Sequence, residues 1–211
     1  MNSKETAYQK IKYNIVNCVY LPGEKISENF LKENLGIGRT PIREALKQLE
    51  LEGLIRIEPK RGIFISNITS GDIKDIYGIR FVLEPYALDL AFPNLTESML
   101  RPYYEYYSAY KSNNFSLYAD SDSYDRDLHF MIYDATQSKL LAYTLKSVYD
   151  KNMRVRILSH KKVSGRQRNT CKEHYRLVEA LLNHDLKRAK NLMKLHIKNG
   201  YSTAIHLVEM P

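Results

Sequence analysis

The chain has 211 residues, 44% of them apolar and 27% charged, which gives room for two domains of ordinary size with packed cores. Its net charge of +8 favours a polyanionic partner, though residues 1–66 hold only 11 basic against 8 acidic side chains, so local clustering must carry that reading. Two cysteines, Cys18 and Cys171, lie too far apart for a Cys-x-x-Cys pair and exclude a cysteine-rich zinc finger or a disulfide framework. No uncharged apolar run reaches the roughly 18 residues of a spanning helix. Met1 to Glu5 lead into no apolar stretch, so neither a signal peptide nor a membrane partner is expected, and a cytoplasmic location is the default.

In chain order, Tyr8, Ile11, Ile15 and Val19 recur at helical spacing, and Leu21-Pro22-Gly23 stops the helix. Ser27 and Glu28 open a short second helix that turns Phe30, Leu31 and Leu35 inward. Gly36 supplies the turn into a third. There Ile42, Ala45, Leu46 and Leu49 form a core stripe at i, i+3, i+4 and i+7. Arg39, Arg43 and Lys47, spaced by four, form a basic row on a neighbouring face. Pro41 sits in the first turn, where a missing N–H costs little, and Gly53 ends the helix. Leu54, Ile55 and Ile57, then Ile63 to Ile65, read as two strands around a Pro59-Lys60-Arg61-Gly62 turn. A basic helix followed by a basic-tipped hairpin suits the major groove with a wing beside it. Read alone, the same helix is a solvated surface helix.

Asn67 to Gly71 is a short polar link. Beyond it the periodicity is helical throughout. Residues 72 to 91 form one helix with Ile73, Ile76, Tyr77, Ile79, Val82, Leu83 and Leu88 mostly inward, kinked at Pro85 and broken at Pro93. Tyrosine-rich residues 95 to 112 make the next, Ser112 to Asn114 a loop, and residues 117 to 135 a third helix. Thr136 to Ser138 separate it from a long helix over 139 to 160. Lys161 to Gly165 read as a basic loop, and residues 166 to 183 and 185 to 206 as a helical hairpin. The expected fold is mainly α: a winged helix-turn-helix over residues 1–68, then an all-α antiparallel bundle over 69–211.

Asp125 and His129 stand four apart and project from one helix face, while His174 and His196 lie on the last two helices, where antiparallel packing can level them. One carboxylate and three imidazoles suit a borderline divalent metal. The competing reading is a set of satisfied polar core residues. His160, His184 and His206 fit no pattern and read as surface residues.

Leu21-Pro22-Gly23, Ile26-Ser27-Glu28, Leu31, Leu35-Gly36, Arg39-Thr40-Pro41-Ile42-Arg43-Glu44-Ala45-Leu46 and Glu52-Gly53-Leu54 closely resemble the winged helix-turn-helix of GntR-family transcription regulators, over about residues 6 to 66. The later half resembles the helical effector domain of the FadR-like (FCD) branch. The resemblance implies a homodimer on a palindromic double-stranded DNA operator. Arg39 and Arg43 would meet base edges and Thr40 and Lys47 phosphates, with the wing residues Lys60, Arg61 and Gly62 at the minor groove. Two positions depart from the pattern: Gly38 stands where Ser or Thr is common, and Asn29 where some relatives carry arginine.

In the bundle, Asp125-Arg126-Asp127-Leu128-His129, Glu173-His174 and His196 resemble the metal-binding pattern of many FCD regulators, with Leu128 in place of the usual Phe. The implied cofactor is a divalent transition metal, zinc first, with nickel, manganese, iron and cobalt as alternatives. Ile79-Arg80-x-x-Leu83-Glu84 also resembles the branch. Arg80 is thereby a candidate effector contact to a small carboxylate, against a plain salt bridge with Glu84. Together these imply a ligand-responsive regulator, a repressor released by a small organic acid bound with the metal. The competing functions are a metal-dependent hydrolase and a regulator that binds its ligand without metal. No His-Glu-x-x-His pair, phosphate loop or nucleophile elbow supports an enzyme, and no catalytic residue is assigned.

Overall fold

Ser27 accepts a hydrogen bond from the Phe30 amide at 3.1 Å and so caps helix α2, Glu28–Leu35, whose far end closes on Gly36 in the left-handed conformation. The turn leads directly into α3, Arg39–Leu51. The computed structural model describes residues 2–109, 121–163 and 165–209, and these divide into two compact units, Met1–Thr69 and Ser70–Pro211.

In the first unit α1, Ser3–Val16, packs across α3, and Ala7, Ile11 and Ile15 meet Ile42, Ala45 and Leu49 with no exposure to solvent. Leu31 of α2 closes the same core. After Gly53, strands β2, Ile55–Glu58, and β3, Gly62–Ile65, pair antiparallel with Ile55 opposite Ile65 and Glu58 opposite Gly62. Lys60 and Gly62 carry the positive φ angles of the turn, 63° and 120°.

Three expectations need correction here. A strand β1, Lys25–Ile26, pairs with the outer side of β3, so the wing is a three-stranded sheet of order β1-β3-β2. Val19 is 59% exposed, because α1 ends at Val16 and Cys18 takes a positive φ. Phe30 is 41% exposed and meets Tyr20 edge-on instead of entering the core.

The second unit is helical among the described residues. Its elements are α4 Ser70–Ala91, a 3-10 turn Phe92–Asn94, α5 Glu97–Ser108, α6 Ser121–Ala135, α7 Lys139–Lys162, α8 Arg166–Leu182 and α9 Leu186–Glu209. The loop expected at Ser112–Asn114 and the helix start expected at residues 117–120 lie outside the described residues. α4 continues as helix through the buried Pro85. α7 runs on to Lys162, so Lys161 and Lys162 belong to its last turn and not to a loop. α4 packs on α9, α7 and α6, and α8 on α9 and α5, which surrounds the middle of α6 with helices. Ile79, Phe81, Val82 and Tyr86 of α4 face solvent, contrary to the inward placement expected of Ile79 and Val82. No described helix is long and apolar enough to cross a membrane.

Candidate functional site

The surroundings of α6 bring Asp125, His129, His174 and His196 together. All four are buried, and one ligand atom from each lies within 4.8 Å of every other. The ring centroids of His174 and His196 are 4.6 Å apart, and those of His129 and His174 are 5.4 Å apart. Helix α6 supplies the first pair because i, i+4 side chains share a face; α8 and α9, adjacent and antiparallel, supply the other two.

The second nitrogens are what give this cluster its chemistry. His196 donates from Nδ1 to Glu173 at 2.8 Å, and His129 Nδ1 faces Glu84 at 3.3 Å. Each carboxylate is held ionised. Burial pushes Glu173 up, but His196 and Arg166 outweigh it and the net result is about 2; at Glu84, Arg80 and His129 likewise outweigh burial and hold it well below the usual range. An ionised carboxylate only accepts, so at His196 Nδ1 carries the proton and Nε2 presents its lone pair to the cluster.

Burial, with the neighbouring histidines, keeps His174 well below the ordinary histidine value. Burial lowers His196 to about 4 although Glu173 opposes it. At neutral pH these imidazoles are in the form that binds metals. Meanwhile His129 Nε2, both nitrogens of His174 and Asp125 Oδ1 are buried without a protein hydrogen bond. Such orphaned polar atoms are costly unless an ion or water meets them; neutral His174 contributes one lone pair and one N–H to the set.

The residues therefore fit a divalent metal. Ligand atoms each about 2.1 Å from one ion are at most about 4.2 Å apart, so the widest pair needs to close by roughly half an ångström. Asp125 Oδ2 is engaged by the Tyr149 hydroxyl and by Arg156, which leaves Oδ1 to the ion.

Beside the Asp125 and His196 edge of the cluster lies a cavity of about 20 Å³, walled by Arg80, Arg156, Arg166, Asn152 and Thr170. Each arginine already faces a carboxylate: Arg80 meets Glu84 at 2.5 Å, Arg166 meets Glu173 at 2.8 Å through a two-pronged contact, and Arg156 meets Asp125. The Arg80–Glu84 salt bridge weighed from the sequence is thus present, and Arg80 also lines the cavity. His160, expected at the surface, is half-buried and lines it too. At one wall Tyr77 of α4 rests against Gly200 of α9, where an added Cβ would lie 2.9 Å from the tyrosine ring. Tyr149, Arg156 and Arg166 carried no signal in the sequence as site residues; Glu173 only adjoined a candidate ligand, and Glu84 entered only as the salt-bridge partner of Arg80.

In the first unit Arg39, Thr40, Arg43 and Lys47 are all exposed on α3, the three cations along one face. Gly38 precedes the helix without a side-chain cap. Lys60 and Arg61 are exposed at the wing tip, Arg61 paired with Glu58 at 2.8 Å. Gly62 is required there by its φ of 120°, which strains any other residue; an added Cβ would also lie 2.8 Å from Lys25 Cε, the far end of a flexible side chain that can move aside.

Known proteins carry the same two parts. Residues 3–65 match the profile of bacterial regulatory proteins of the gntR family, and residues 75–199 match the FCD domain. YdhC of Bacillus subtilis, an uncharacterized HTH-type transcriptional regulator, is 27% identical over 204 residues, covering 96% of this chain and 91% of its own. The HTH-type transcriptional repressor RspR of Escherichia coli is 32% identical over 91 residues, 43% of this chain and 40% of its own. Among solved structures, E. coli McbR/YncC superposes with a TM-score of 0.82 over 98% of this chain and 99% of its own at 18% identity. The metal-free FCD domain of TM0439 superposes with a TM-score of 0.59 over 69% of this chain and 100% of its own at 21% identity. The families and relatives matched are transcription regulators and not enzymes.

Proposed function

This chain belongs to the gntR family of bacterial regulatory proteins and carries an FCD domain after its helix-turn-helix, and from that premise we propose a cytoplasmic, homodimeric repressor released by a small organic acid bound with a divalent metal in its second unit. The observation that carries the proposal is the buried cluster of Asp125, His129, His174 and His196, whose ligand atoms converge and, at Asp125, His129 and His174, include polar atoms with no protein hydrogen bond. A relative solved as a metal-free FCD domain is consistent with a site that loads and unloads. Zinc suits the donor set best, with nickel, manganese, iron and cobalt as alternatives. Bound there, the metal supplies an electrophilic anchor for a carboxylate.

Charge supports the effector class. Around the cavity Arg80, Arg156 and Arg166 are balanced by Glu84, Asp125 and Glu173. A divalent ion then adds positive charge that no group in the lining offsets, and a small acid offsets it. The cavity holds about one water, so the acid enters only by moving its walls. That gives the acid a preference between two conformations, which a ligand switch requires.

In the first unit, each copy's α3 reads one half-site of a palindromic operator. Arg39 and Arg43 face bases, Thr40 and Lys47 face phosphates, and Lys60, Arg61 and Gly62 lie along the minor groove. The exposed apolar face of α4 supports pairing of two copies through the second unit.

The test is elemental analysis of the purified protein, then chelation, return of single metals and titration with small carboxylates by thermal shift. Metal should raise the melting temperature, and carboxylates should raise it further only when metal is present. His174→Ala should abolish both effects while leaving DNA binding without effector intact. A wild-type protein that takes up no divalent ion refutes the metal reading. Carboxylate stabilisation without metal would favour a regulator that binds its ligand directly, and substrate turnover would favour a hydrolase.

A further inference from the structure

Glu28, the first residue of α2, directs both carboxylate oxygens at one atom of α3, the Nε of Arg43, at 2.9 Å each. Among the described residues no other hydrogen bond or ion pair engages the Arg43 side chain, which is 62% exposed. Its two terminal amino groups are therefore left unengaged among the described residues. Beside it, Asn29 accepts from Arg39 at 3.3 Å, so two neighbouring residues of α2 brace two arginines of α3.

We infer that Glu28 is a positioning residue that sets operator selectivity by presenting Arg43 end-on to a base. The inference rests on the reading of Arg43 as a base contact. A guanine edge offers two acceptors, O6 and N7, to two parallel N–H groups. With Nε occupied by Glu28, the pair that remains is the terminal one, so only an end-on approach makes both bonds. An unbraced arginine has to be ordered on binding, and it can reach a phosphate as readily as a base. Holding it in advance removes part of that ordering cost and disfavours the phosphate contact.

The brace has an opposing effect, and this makes it testable. A carboxylate on the DNA-facing side repels phosphates whatever the sequence, so Glu28 lowers affinity for every duplex while raising preference for the right one. A purely structural Glu28, stabilising the N-terminus of α2 through the helix dipole, would change stability and leave preference alone.

The experiment uses the full chain, a duplex selected by it from a random pool, and a scrambled duplex of equal length, at one salt concentration. Glu28→Gln should bind the scrambled duplex about two- to fivefold more tightly and lose about three- to tenfold of its preference for the selected one. Glu28→Asp keeps the charge but shortens the reach, so it should lose preference without the gain on scrambled DNA. In an Arg43→Ala background, Glu28→Gln should leave the remaining preference unchanged. Full preference in both Glu28 variants overturns the positioning role. Full preference in Arg43→Ala alone shows instead that Arg43 reads no base, which withdraws the premise as well.

Discussion

A histidine makes a directed metal ligand when its other nitrogen is already engaged. His196 meets this condition through Glu173, which Arg166 and Asn199 hold in turn at 2.8 and 2.9 Å. Replacing such an outer partner typically lowers metal affinity about 10- to 100-fold. Glu173→Gln should do so here, measured by calorimetric titration of the stripped protein, and an unchanged affinity would take Glu173 out of the site. Acid should compete with the metal only below the ordinary histidine range of about 6.5, because burial lowers His174 and His196 in the metal-free protein. Asp125 and His129 were legible as a pair because residue type and helical spacing are local facts, while His174 and His196, on other helices, joined them chiefly through the resemblance to the FCD pattern. Their partners were not legible: Glu84 meets His129 and Tyr149 meets Asp125 across helix packings that no spacing rule specifies.

At the scale of elements, the strongest periodicities predicted best. The stripe of Ile42, Ala45, Leu46 and Leu49 is buried to within 1%, and α3 ends where Gly53 allows. Strand β1 escaped because two residues carry no period; only pairing with β3 defines it. Phe30 and Val19 were misplaced because an apolar residue near a helix end follows the surface that tertiary packing leaves it. Helix α3 itself starts poorly, since Gly38 offers its amides no side-chain acceptor. Gly38 has φ −62° and ψ 162°, and an added Cβ would meet Pro41 only at 3.9 Å. Gly38→Ser should therefore stabilise the first unit by about 0.5–1 kcal/mol, from a few tenths for the cap and the rest from a less free unfolded chain. The measure is a higher denaturant midpoint with an unchanged slope; no rise would mean the serine hydroxyl does not cap.

For the whole molecule, one feature went unseen in the sequence. α4 is so apolar that its periodicity could not say which side is covered. Val82 is 68% exposed, with Ile79, Phe81 and Tyr86 alongside at 41%, 45% and 52%. A face of this kind on a regulator calls for a partner, and a second copy is the partner proposed. Val82→Glu should convert the full chain from dimer to monomer in sedimentation velocity at micromolar concentration and weaken operator binding with it. Because the residue is exposed, the melting temperature of the isolated fold has little reason to move by more than the usual surface effect of about 0.5 kcal/mol. A variant that stays dimeric removes this face from the interface.

The contact of Tyr77 with Gly200 leaves the cavity wall no slack. A missing methyl group sets how closely α4 and α9 approach, and the ring already occupies the space that a Cβ would take. Packed interiors switch between discrete arrangements more readily than they deform continuously. On the reading proposed above, an acid pressing on Tyr77 from the cavity would meet the α9 backbone at once, so the wall that has to yield is α4. α4 is also where the chain arrives from the first unit, at Ser70. On that reading the glycine acts as a stiffener: by letting α4 and α9 touch, it turns a change in the cavity into a displacement of a helix and not of a single ring.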